Sequence, residues 1–311
     1  MRTSRMLALG ASLLALIGAC GMGGGATPTA QVNIRIGSAG FYESALMAEI
    51  YAQVLEARGY TVTRNLQIGP RDTTLPAIER GDFDLMPEYI GSLLEFVNQS
   101  AGEATADSAQ THDRLQARLD GRGLTVLGYT PAQDKNTLVV RGDTAAELSL
   151  SRASDLAAVQ AELVWGLPAE CETNPLCGGV LRDVYGIDYD QIRLIELDAC
   201  GAEIATALNG GAVDIGQLCS TQPDIARFGF VVLEDDRNTQ PAENIAPIVR
   251  DDFLAQVGGA DALAAILDPV SQAMTTDELT ALNVRVGIEQ EEFATVARDW
   301  LTEKGILPEG P

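Results

Sequence analysis

Cysteine and histidine are the residues of this 311-residue chain that could form covalent links or bind a metal ion. Cys171, Cys177, Cys200 and Cys219 form an even set, which predicts disulfides if the protein leaves the cytoplasm. Three pairings are possible. The short loop between Cys171 and Cys177 favours their pairing, which leaves Cys200 with Cys219; two free thiols there are the alternative. A zinc site is not expected, because no CxxC pair occurs and His112 is the sole histidine.

His112 also bears on catalysis, since a nucleophilic hydroxyl or thiol usually needs a histidine partner. It lies in the polar stretch from Ala106 to Asp120, which is predicted to be a solvated helix. The GxSxG and HExxH patterns of hydrolases and metalloproteases do not occur. We therefore expect no catalytic residue, no metal and no cofactor.

The N-terminus is typical of an exported protein. Arg2 and Arg5 precede the uncharged apolar run from Met6 to Ile17, and two small residues then precede Cys20. The run is too short to span a bilayer and is typical of a secretory signal. Its end resembles a bacterial lipobox, which predicts a signal peptide over residues 1–19 and a lipid on Cys20. An ordinary signal peptide is the alternative. Residues 20–31 are then the lipidated cysteine and a flexible tether.

The charge of the chain argues against nucleic acid as a partner. The formal net charge is -23, and it becomes -25 (-23 minus 2) when Arg2 and Arg5 are removed with the signal peptide. Binding a phosphate backbone requires clustered Lys and Arg, which such a balance does not favour. No later apolar run is long enough to cross a membrane.

Alternating strand and helix patterns predict two α/β lobes. From Val32 to Gly128 the pattern indicates a parallel sheet with βαβ crossovers, and it restarts after Gln133. The first helix is predicted over Glu43–Arg58, with Leu46, Ile50 and Leu55 on its apolar face, and the second begins at Thr73 and ends at Gly81. The other helices are predicted over Val180–Tyr185, Glu203–Leu208, Asp261–Met274, Thr276–Asn283 and Glu291–Lys304. The chain is predicted to cross between lobes near Gln133 to Thr137 and again near Gln240 to Ile245. Ligands in such sheets bind beyond the carboxyl ends of the strands, so we expect a cleft between the lobes. The predicted boundaries are 32–134 plus 243–311 for lobe I and 135–242 for lobe II.

Several segments together resemble the substrate-binding proteins of osmoprotectant ABC transporters, which take glycine betaine, choline or carnitine. The resemblance extends from about Val32 to about Leu307, and the order and spacing of the segments make it specific. The segments are Ile36–Glu43 (IGSAGFYE), Gly81–Ser92 (GDFDLMPEYIGS), Ala207–Asp214 (ALNGGAVD), Ser220–Thr221 (ST), Val231–Asp236 (VVLEDD) and Pro247–Arg250 (PIVR).

The resemblance implies a type II periplasmic-binding fold, in which two α/β lobes are joined by a two-stranded hinge around a ligand cleft. It also implies a small-molecule solute, partner permease and ATPase subunits, and an extracytoplasmic place, here lipid-anchored to the cell membrane. We expect a monomer that is not an enzyme. The alternatives are a sensory surface lipoprotein without a transporter and an enzyme on a related two-lobed fold.

The resemblance also implies which residues hold the ligand. Tyr89 corresponds to an aromatic wall for a quaternary ammonium group, and Ser92 to a residue that contacts the ligand. The turn from Ser38 to Tyr42 leads into a helix N-terminus, whose free N–H groups favour a carboxylate. Glu43 at that end is expected to cap the helix. Ser44, Ser220 and Thr221 complete the small hydroxyl residues predicted to contact the ligand.

Three other aromatic walls of the family are missing. Their tyrosines correspond to Asn136, Cys219, and Ala205 or Thr206, with Phe41 and Tyr42 as the nearest replacements. The sequence therefore predicts a more polar cleft, whose solute is quaternary-ammonium or zwitterionic but need not be glycine betaine; ergothioneine and polyamines are alternatives. The acidic and amide residues predicted to contact the solute are Asp134, Asn136, Asp198, Glu243 and Asn244.

Overall fold

Two mixed sheets organise the part of the chain that the structure describes. The structure is a computed structural model, and it describes residues 32–169, 171–197 and 200–308. The predicted signal peptide, Cys20, the tether and Asp198 lie outside this part. The strands are β1 Asn33–Gly37, β2 Thr61–Asn65, β3 Leu85–Tyr89, β4 Leu124–Val126, β5 Asn136–Val140, β6 Val164–Leu167, β7 Arg193–Glu196, β8 Ile215–Cys219, β9 Val231–Val232 and β10 Ile245–Arg250.

Helices cover both sheets, and most of them begin within two residues of the predicted position. The α-helices are α1 Tyr42–Ala57, α2 Arg71–Arg80, α3 Ile90–Val97, α4 Ser108–Leu119, α5 Gly142–Leu148, α6 Val180–Asp183, α7 Ala202–Asn209, α8 Asp224–Phe228, α9 Asp251–Leu254, α10 Ala260–Ala273, α11 Thr276–Asn283 and α12 Phe293–Glu303. Within the described residues no helix has both the length and the apolar character needed to cross a bilayer.

The strand order shows how the chain divides. Within the described residues, one five-stranded sheet has the order β2-β1-β3-β10-β4 and the other has the order β7-β6-β8-β5-β9. The chain passes from the first sheet to the second between β4 and β5 and returns before β10. At the two passages, Gln133 and Asn244 face each other in an antiparallel bridge, and the Asp134 amide donates to the Glu243 carbonyl at 3.1 Å. These paired segments form the two-stranded hinge.

The predicted parallel pairing holds for β1 with β2 and β3 and for β6 with β7 and β8, but both sheets are mixed. β10 is antiparallel to β3 and β4, and β5 is antiparallel to β8 and β9. The reason is the hinge. β3 and β8 end at the cleft, whereas β5 and β10 start there after each crossing, so they must run the opposite way along their neighbours. Hydrophobic periodicity predicts a strand but carries no information on its direction.

Helix α1 is the centre of the core beneath the first sheet. Its predicted apolar face, including Leu46, Ile50 and Leu55, is fully buried, and the small residues of its other face are buried as well. The carboxyl-terminal helices α10 to α12 enclose it, with Leu267 and Trp300 in the same apolar cluster. Burial on all sides holds the first turn of α1 in a fixed position, and that turn faces the cleft.

The structure contains both disulfides that the spacing favours. Cys171 is bonded to Cys177, and Cys200 to Cys219. The first closes a short loop before α6. The second ties the segment before α7 to the end of β8, so it fixes one wall beside the hinge.

Candidate functional site

A cleft of about 670 Å³ lies between the ends of β3 and β8, next to the hinge. Its position agrees with the expectation that ligands bind beyond the carboxyl ends of the strands. Its lining residues come from both sides of the hinge. They are Phe41, Tyr42, Glu43, Arg71, Tyr89, Ser92, Glu95, Phe96, Ser100, Asp134, Asn136, Asn174, Leu176, Cys200, Cys219, Thr221, Gln222, Gln240, Pro241 and Glu243.

The cleft brings together most of the residues that the sequence predicts for ligand contact. These residues are far apart in the chain, between positions 41 and 243. They meet at the cleft because β3 and β8 both end there and the hinge lies next to it. The predicted residues in the lining are Phe41, Tyr42, Tyr89, Ser92, Asp134, Asn136, Cys219, Thr221 and Glu243.

Ser38 and Ser44 do not line this cleft but shape the loop before α1. The Ser38 hydroxyl accepts the Gln67 amide at 2.7 Å and donates to the Ala39 carbonyl at 3.1 Å. The Ser44 hydroxyl accepts the Ala39 amide at 3.0 Å. These short side chains bond to the local backbone, as serines at turns and helix starts commonly do. They position Phe41 and Tyr42 rather than face the cleft themselves.

Ser220 and Asn244 do not line the cleft either, because they hold the hinge. The Ser220 hydroxyl accepts the Lys135 amide at 2.9 Å and donates to the Gln133 carbonyl at 3.2 Å. The Asn244 side-chain amide donates to the Thr130 carbonyl at 2.8 Å. Both side chains satisfy backbone groups where the chain crosses between the sheets.

Glu43 does not cap helix α1, in contrast to the prediction. Its side chain is only 3% exposed, and its carboxylate accepts hydrogen bonds from the Tyr89 hydroxyl, from Thr221 Oγ1 at 2.6 Å and from Asn283 Nδ2 at 2.5 Å. Asn283 also donates to the Thr221 carbonyl at 3.2 Å. Because Thr221 follows β8 and the others belong to the side of the first sheet, Glu43 connects the two sides of the cleft.

Glu243 occupies the start of helix α3. Its carboxylate accepts the Ser92 amide at 3.0 Å and the Ser92 hydroxyl at 2.6 Å, so it satisfies one of the amides that a helix N-terminus leaves free. The approach is close: a Cβ on Gly91 would lie 2.6 Å from the Ala242 carbonyl oxygen and 3.0 Å from a Glu243 carboxylate oxygen. Glycine at position 91 is therefore needed for α3 to meet the hinge.

Three carboxyl groups of the site have raised pKa values. Burial raises the pKa of Glu43, although its hydrogen bonds to Thr221, Tyr89 and Asn283 oppose the shift. Burial and then the nearby Glu43 charge raise the pKa of Asp134. Burial raises the pKa of Glu243 to about 7, against the opposing bonds from Ser92. Removal from water disfavours the charged form of each carboxyl, and for Glu243 it brings the pKa into the neutral range.

Arg71 lines the same cleft but its charge is already paired. Its guanidinium donates to both oxygens of Glu88, at 2.9 and 2.8 Å. Glu88 is buried and also accepts the Tyr89 amide at 3.0 Å. A bidentate pair of this kind fixes the guanidinium in one plane and balances its charge through Nε and Nη2.

Aromatic side chains form the wall on the side of the first sheet. The Phe41 and Tyr89 rings are 6.0 Å apart at their centroids and inclined by 31°. Tyr42 and Phe96 also line the cleft, and Phe41 and Phe96 are 43% and 44% exposed. Phe41 and Tyr42, the predicted replacements for the missing tyrosines, thus line the cleft, and Phe96 adds a ring that was not predicted. Asn136 and Cys219, which correspond to two of those tyrosines, line the opposite wall.

Some residues of the site carried a usable sequence signal and others did not. Phe96 lies four residues after Ser92, so a helix over this segment places both on one face. Arg71 starts α2, and nothing in its spacing pairs it with the cleft. Asn283 is 240 residues from Glu43, and only the folded structure shows that the two are bonded.

The opposite wall is polar and is stiffened by the Cys200–Cys219 disulfide. Cys219 ends β8 and pairs in register with Asn136 of β5, and both line the cleft with Gln222. The ligand would therefore meet aromatic faces on one side and amide groups and sulfur on the other.

Known proteins are similar to this chain in sequence and in fold. A glycine-betaine-binding protein of Pseudomonas aeruginosa is 30% identical over 289 residues, which cover 89% of this chain and 90% of that protein. The glycine betaine-binding protein YehZ of Escherichia coli is 27% identical over 282 residues, covering 88% and 90%. A solved structure described as a glycine betaine/carnitine/choline ABC transporter superposes with a TM-score of 0.75 at 20% identity, covering 88% of this chain and 99% of that one.

The superposition confirms the predicted type II periplasmic-binding fold. The family described as the substrate-binding domain of ABC-type glycine betaine transport systems matches residues 32–303. This match covers nearly all of the described residues, including every element that lines the cleft. The chain belongs to this family of transport substrate-binding domains.

Proposed function

We propose that this protein is an extracytoplasmic lipoprotein that captures a small quaternary-ammonium or zwitterionic solute in the cleft and delivers it to an ABC permease with its ATPase. The observation that carries the proposal is the aromatic wall of Phe41, Tyr42, Tyr89 and Phe96 in a cleft next to a two-stranded hinge. The names of the two curated relatives, both glycine betaine-binding proteins, support the solute class.

The chemistry of the wall suits a cation that carries methyl groups. A quaternary ammonium group has no N–H to donate, so it is held by aromatic faces and by the field of nearby carboxylates. Each aromatic contact contributes about 0.5 to 2 kcal/mol depending on how far water is excluded. Several such contacts, helped by Glu43, Asp134 and Glu243, supply an attraction that a purely polar pocket lacks.

The hinge gives the cleft a way to close over the solute. In the proposed division, residues 32–134 plus 243–311 form lobe I, and residues 135–242 form lobe II. The bonds from Thr221 to Glu43 and to Asp134 join the lobes next to the hinge. We propose that they set how far the lobes close.

Calorimetric titration of the purified protein tests the solute class. We expect glycine betaine, choline or carnitine to bind with a 1:1 stoichiometry and to raise the unfolding temperature, since a ligand that binds only the folded state stabilises it. Ergothioneine and spermidine belong in the same panel, because Asn136 and Cys219 make the second wall more polar than an aromatic cage. Binding of spermidine alone would replace the proposed solute class. Binding of ergothioneine alone would keep the class, because ergothioneine carries a trimethylammonium group and a carboxylate, but it would exclude the smaller solutes. Failure of the whole panel would refute the proposal.

The lipid anchor is tested separately. With Cys20 replaced by serine, we expect loss of fatty-acid labelling and release of the protein from the membrane fraction. A Cys20→Ser variant that stays in the membrane fraction would refute the anchor and leave the solute proposal standing.

A further inference from the structure

Three carboxyl groups, those of Glu43, Asp134 and Glu243, face the same cleft from three segments of the chain. Glu43 is in the first turn of α1, Asp134 is in the first hinge segment and Glu243 is in the second. Glu43 and Glu243 are only 3% and 7% exposed. The negative charges of Glu43 and Glu243 both raise the pKa of Asp134. We refer to these residues as the carboxyl triad.

The described lining holds no free positive charge to balance the carboxyl triad. Arg71 is its one cation, and the Glu88 carboxylate accepts from Nε and Nη2 along one edge of that guanidinium, at 2.9 and 2.8 Å, so the charge of Arg71 is already paired. Lys135 follows Asp134 in the chain but is not among the lining residues. The other titratable groups nearby are acids or phenols, namely Tyr42, Tyr89, Glu95 and Asp224.

Ionisation of all three carboxyls is disfavoured, because Glu43 and Glu243 are buried, Asp134 is partly buried, and the described lining supplies no unpaired cation. Loss of water disfavours each charge, and each ionised member then opposes ionisation of its neighbours. The bonds that the triad accepts, from Thr221, Asn283 and Ser92, lower this cost only in part, because the pKa values of all three remain above their usual range. The burial and the charge balance therefore favour an exchangeable proton on the carboxyl triad of the ligand-free protein, and the pKa of Glu243, raised to about 7, places one in the neutral range.

We propose that the solute carries a net positive charge and that its binding displaces a proton from the carboxyl triad to solvent. This inference rests on the proposed function and narrows its solute class. The cation takes the place of the proton as the balancing charge, so the total charge inside the cleft stays the same. No bond of the solute is made or broken, and the proton goes to the buffer.

The same charge balance discriminates against zwitterions. A carboxylate on the solute would meet no unpaired cation in the described lining, because Arg71 is paired with Glu88, and only neutral donors such as Asn136 and Gln222 remain for it. The N-terminus of α1 could attract an anion, but the Glu43 carboxyl is already in its first turn. We therefore expect choline, a cation without a carboxylate, to bind at least about tenfold more tightly than glycine betaine at pH 7.5, which corresponds to about 1.4 kcal/mol.

The test is titration of the protein with choline and with glycine betaine at pH 5.5, 6.5 and 7.5, each in two buffers of different ionisation enthalpy. If binding releases one proton, choline affinity should increase by up to about tenfold for each unit by which the pH rises. The measured heat should then also depend on the ionisation enthalpy of the buffer. Glu243→Gln should flatten the pH dependence, and Asp134→Asn serves as a second variant if the first does not fold. Asp113→Asn, which removes an acid that is 85% exposed, is the matched control and should retain the full dependence.

The outcomes separate this inference from the proposed function. Tighter choline binding with proton release supports both. Choline binding that is independent of pH and of buffer, or glycine betaine binding at least as tightly as choline, overturns the inference and leaves the proposed function standing. Absence of binding by both solutes and by the rest of the panel at every pH overturns both.

Discussion

Replacing Tyr89 tests the aromatic wall and the buried network in one experiment, because its ring and its hydroxyl do different things. The ring is 8% exposed, lines the cleft and lies 6.0 Å from the Phe41 ring. The hydroxyl donates to Glu43. Tyr89→Leu removes both features, whereas Tyr89→Phe removes only the hydroxyl. The pair of variants therefore separates attraction of the solute from stability of the empty protein.

The expected magnitudes follow from these contacts. Loss of one aromatic face removes about 0.5 to 2 kcal/mol of attraction for a cation, so the Kd of Tyr89→Leu should rise roughly 2- to 30-fold. Tyr89→Phe keeps the face, and its Kd at pH 7.5 should stay within about threefold of the parent. Both variants lose a hydrogen bond to a buried carboxyl and should lose about 1.5 to 3 kcal/mol of unfolding free energy without ligand.

Calorimetric titration with choline measures the first effect, and urea unfolding of the ligand-free protein measures the second. Equal losses of affinity in Tyr89→Phe and Tyr89→Leu would show that the hydroxyl and Glu43, rather than the ring, hold the solute. Unchanged affinity in Tyr89→Leu would show that the ring is ordinary packing at a strand end.

Three further predictions follow from the hinge side of the cleft. Gly91→Ala should lower the unfolding free energy by about 1 to 3 kcal/mol, because the added Cβ would lie 2.6 Å from the Ala242 carbonyl oxygen in the second hinge segment. Gly142→Ala is the control and should be nearly neutral in the same urea unfolding experiment, because its Cβ would have its nearest atom at 3.6 Å. Because the pKa of Glu243 is raised to about 7, the folded state binds more protons than the unfolded state above pH 4.5. The contribution of Glu243 to the stability of the ligand-free protein should then fall between pH 4.5 and 7, by up to about 3 kcal/mol, and Glu243→Gln should reduce the slope by that share, leaving the part due to Glu43 and Asp134. Replacing both Cys200 and Cys219 by serine removes a disulfide between residues 19 positions apart and should lower the unfolding free energy by about 3 kcal/mol. Thermal unfolding with and without reductant measures this effect, and a parent protein whose unfolding is insensitive to reductant would contradict the prediction.

Local sequence signals predicted much of the fold. Turn glycines and apolar periodicity placed most helices correctly; Gly81, for example, ends α2 in the left-handed conformation that favours glycine. The two hinge passages were also found, because each interrupts an otherwise regular α/β pattern. The antiparallel direction of β5 and β10 was not predicted, since direction depends on which side of the cleft a strand enters from and not on its composition.

The site was predicted unevenly for a similar physical reason. Tyr89 and Asp134 could be placed because each adjoins a strand end or a hinge that the chain pattern already marks. The role of Glu43 was not predicted, because its partner Asn283 comes from the carboxyl-terminal helices and a helix-start glutamate ordinarily indicates a cap. The ion pair between Arg71 and Glu88 was not predicted either, because it depends on tertiary packing alone.

The one-sided placement of the aromatic rings has a consequence for the order of events during capture. Phe41, Tyr42, Tyr89 and Phe96 all belong to the α1, β3 and α3 side, and the wall across the cleft carries the disulfide and amides. A solute that enters the open cleft can bind to the aromatic rings without any contact with the opposite wall. The association rate should then depend on the aromatic side, and the residence time should depend on the opposite wall. Stopped-flow measurement should find that Asn136→Ala changes the dissociation rate and leaves the association rate nearly constant, and a change confined to association would contradict this order.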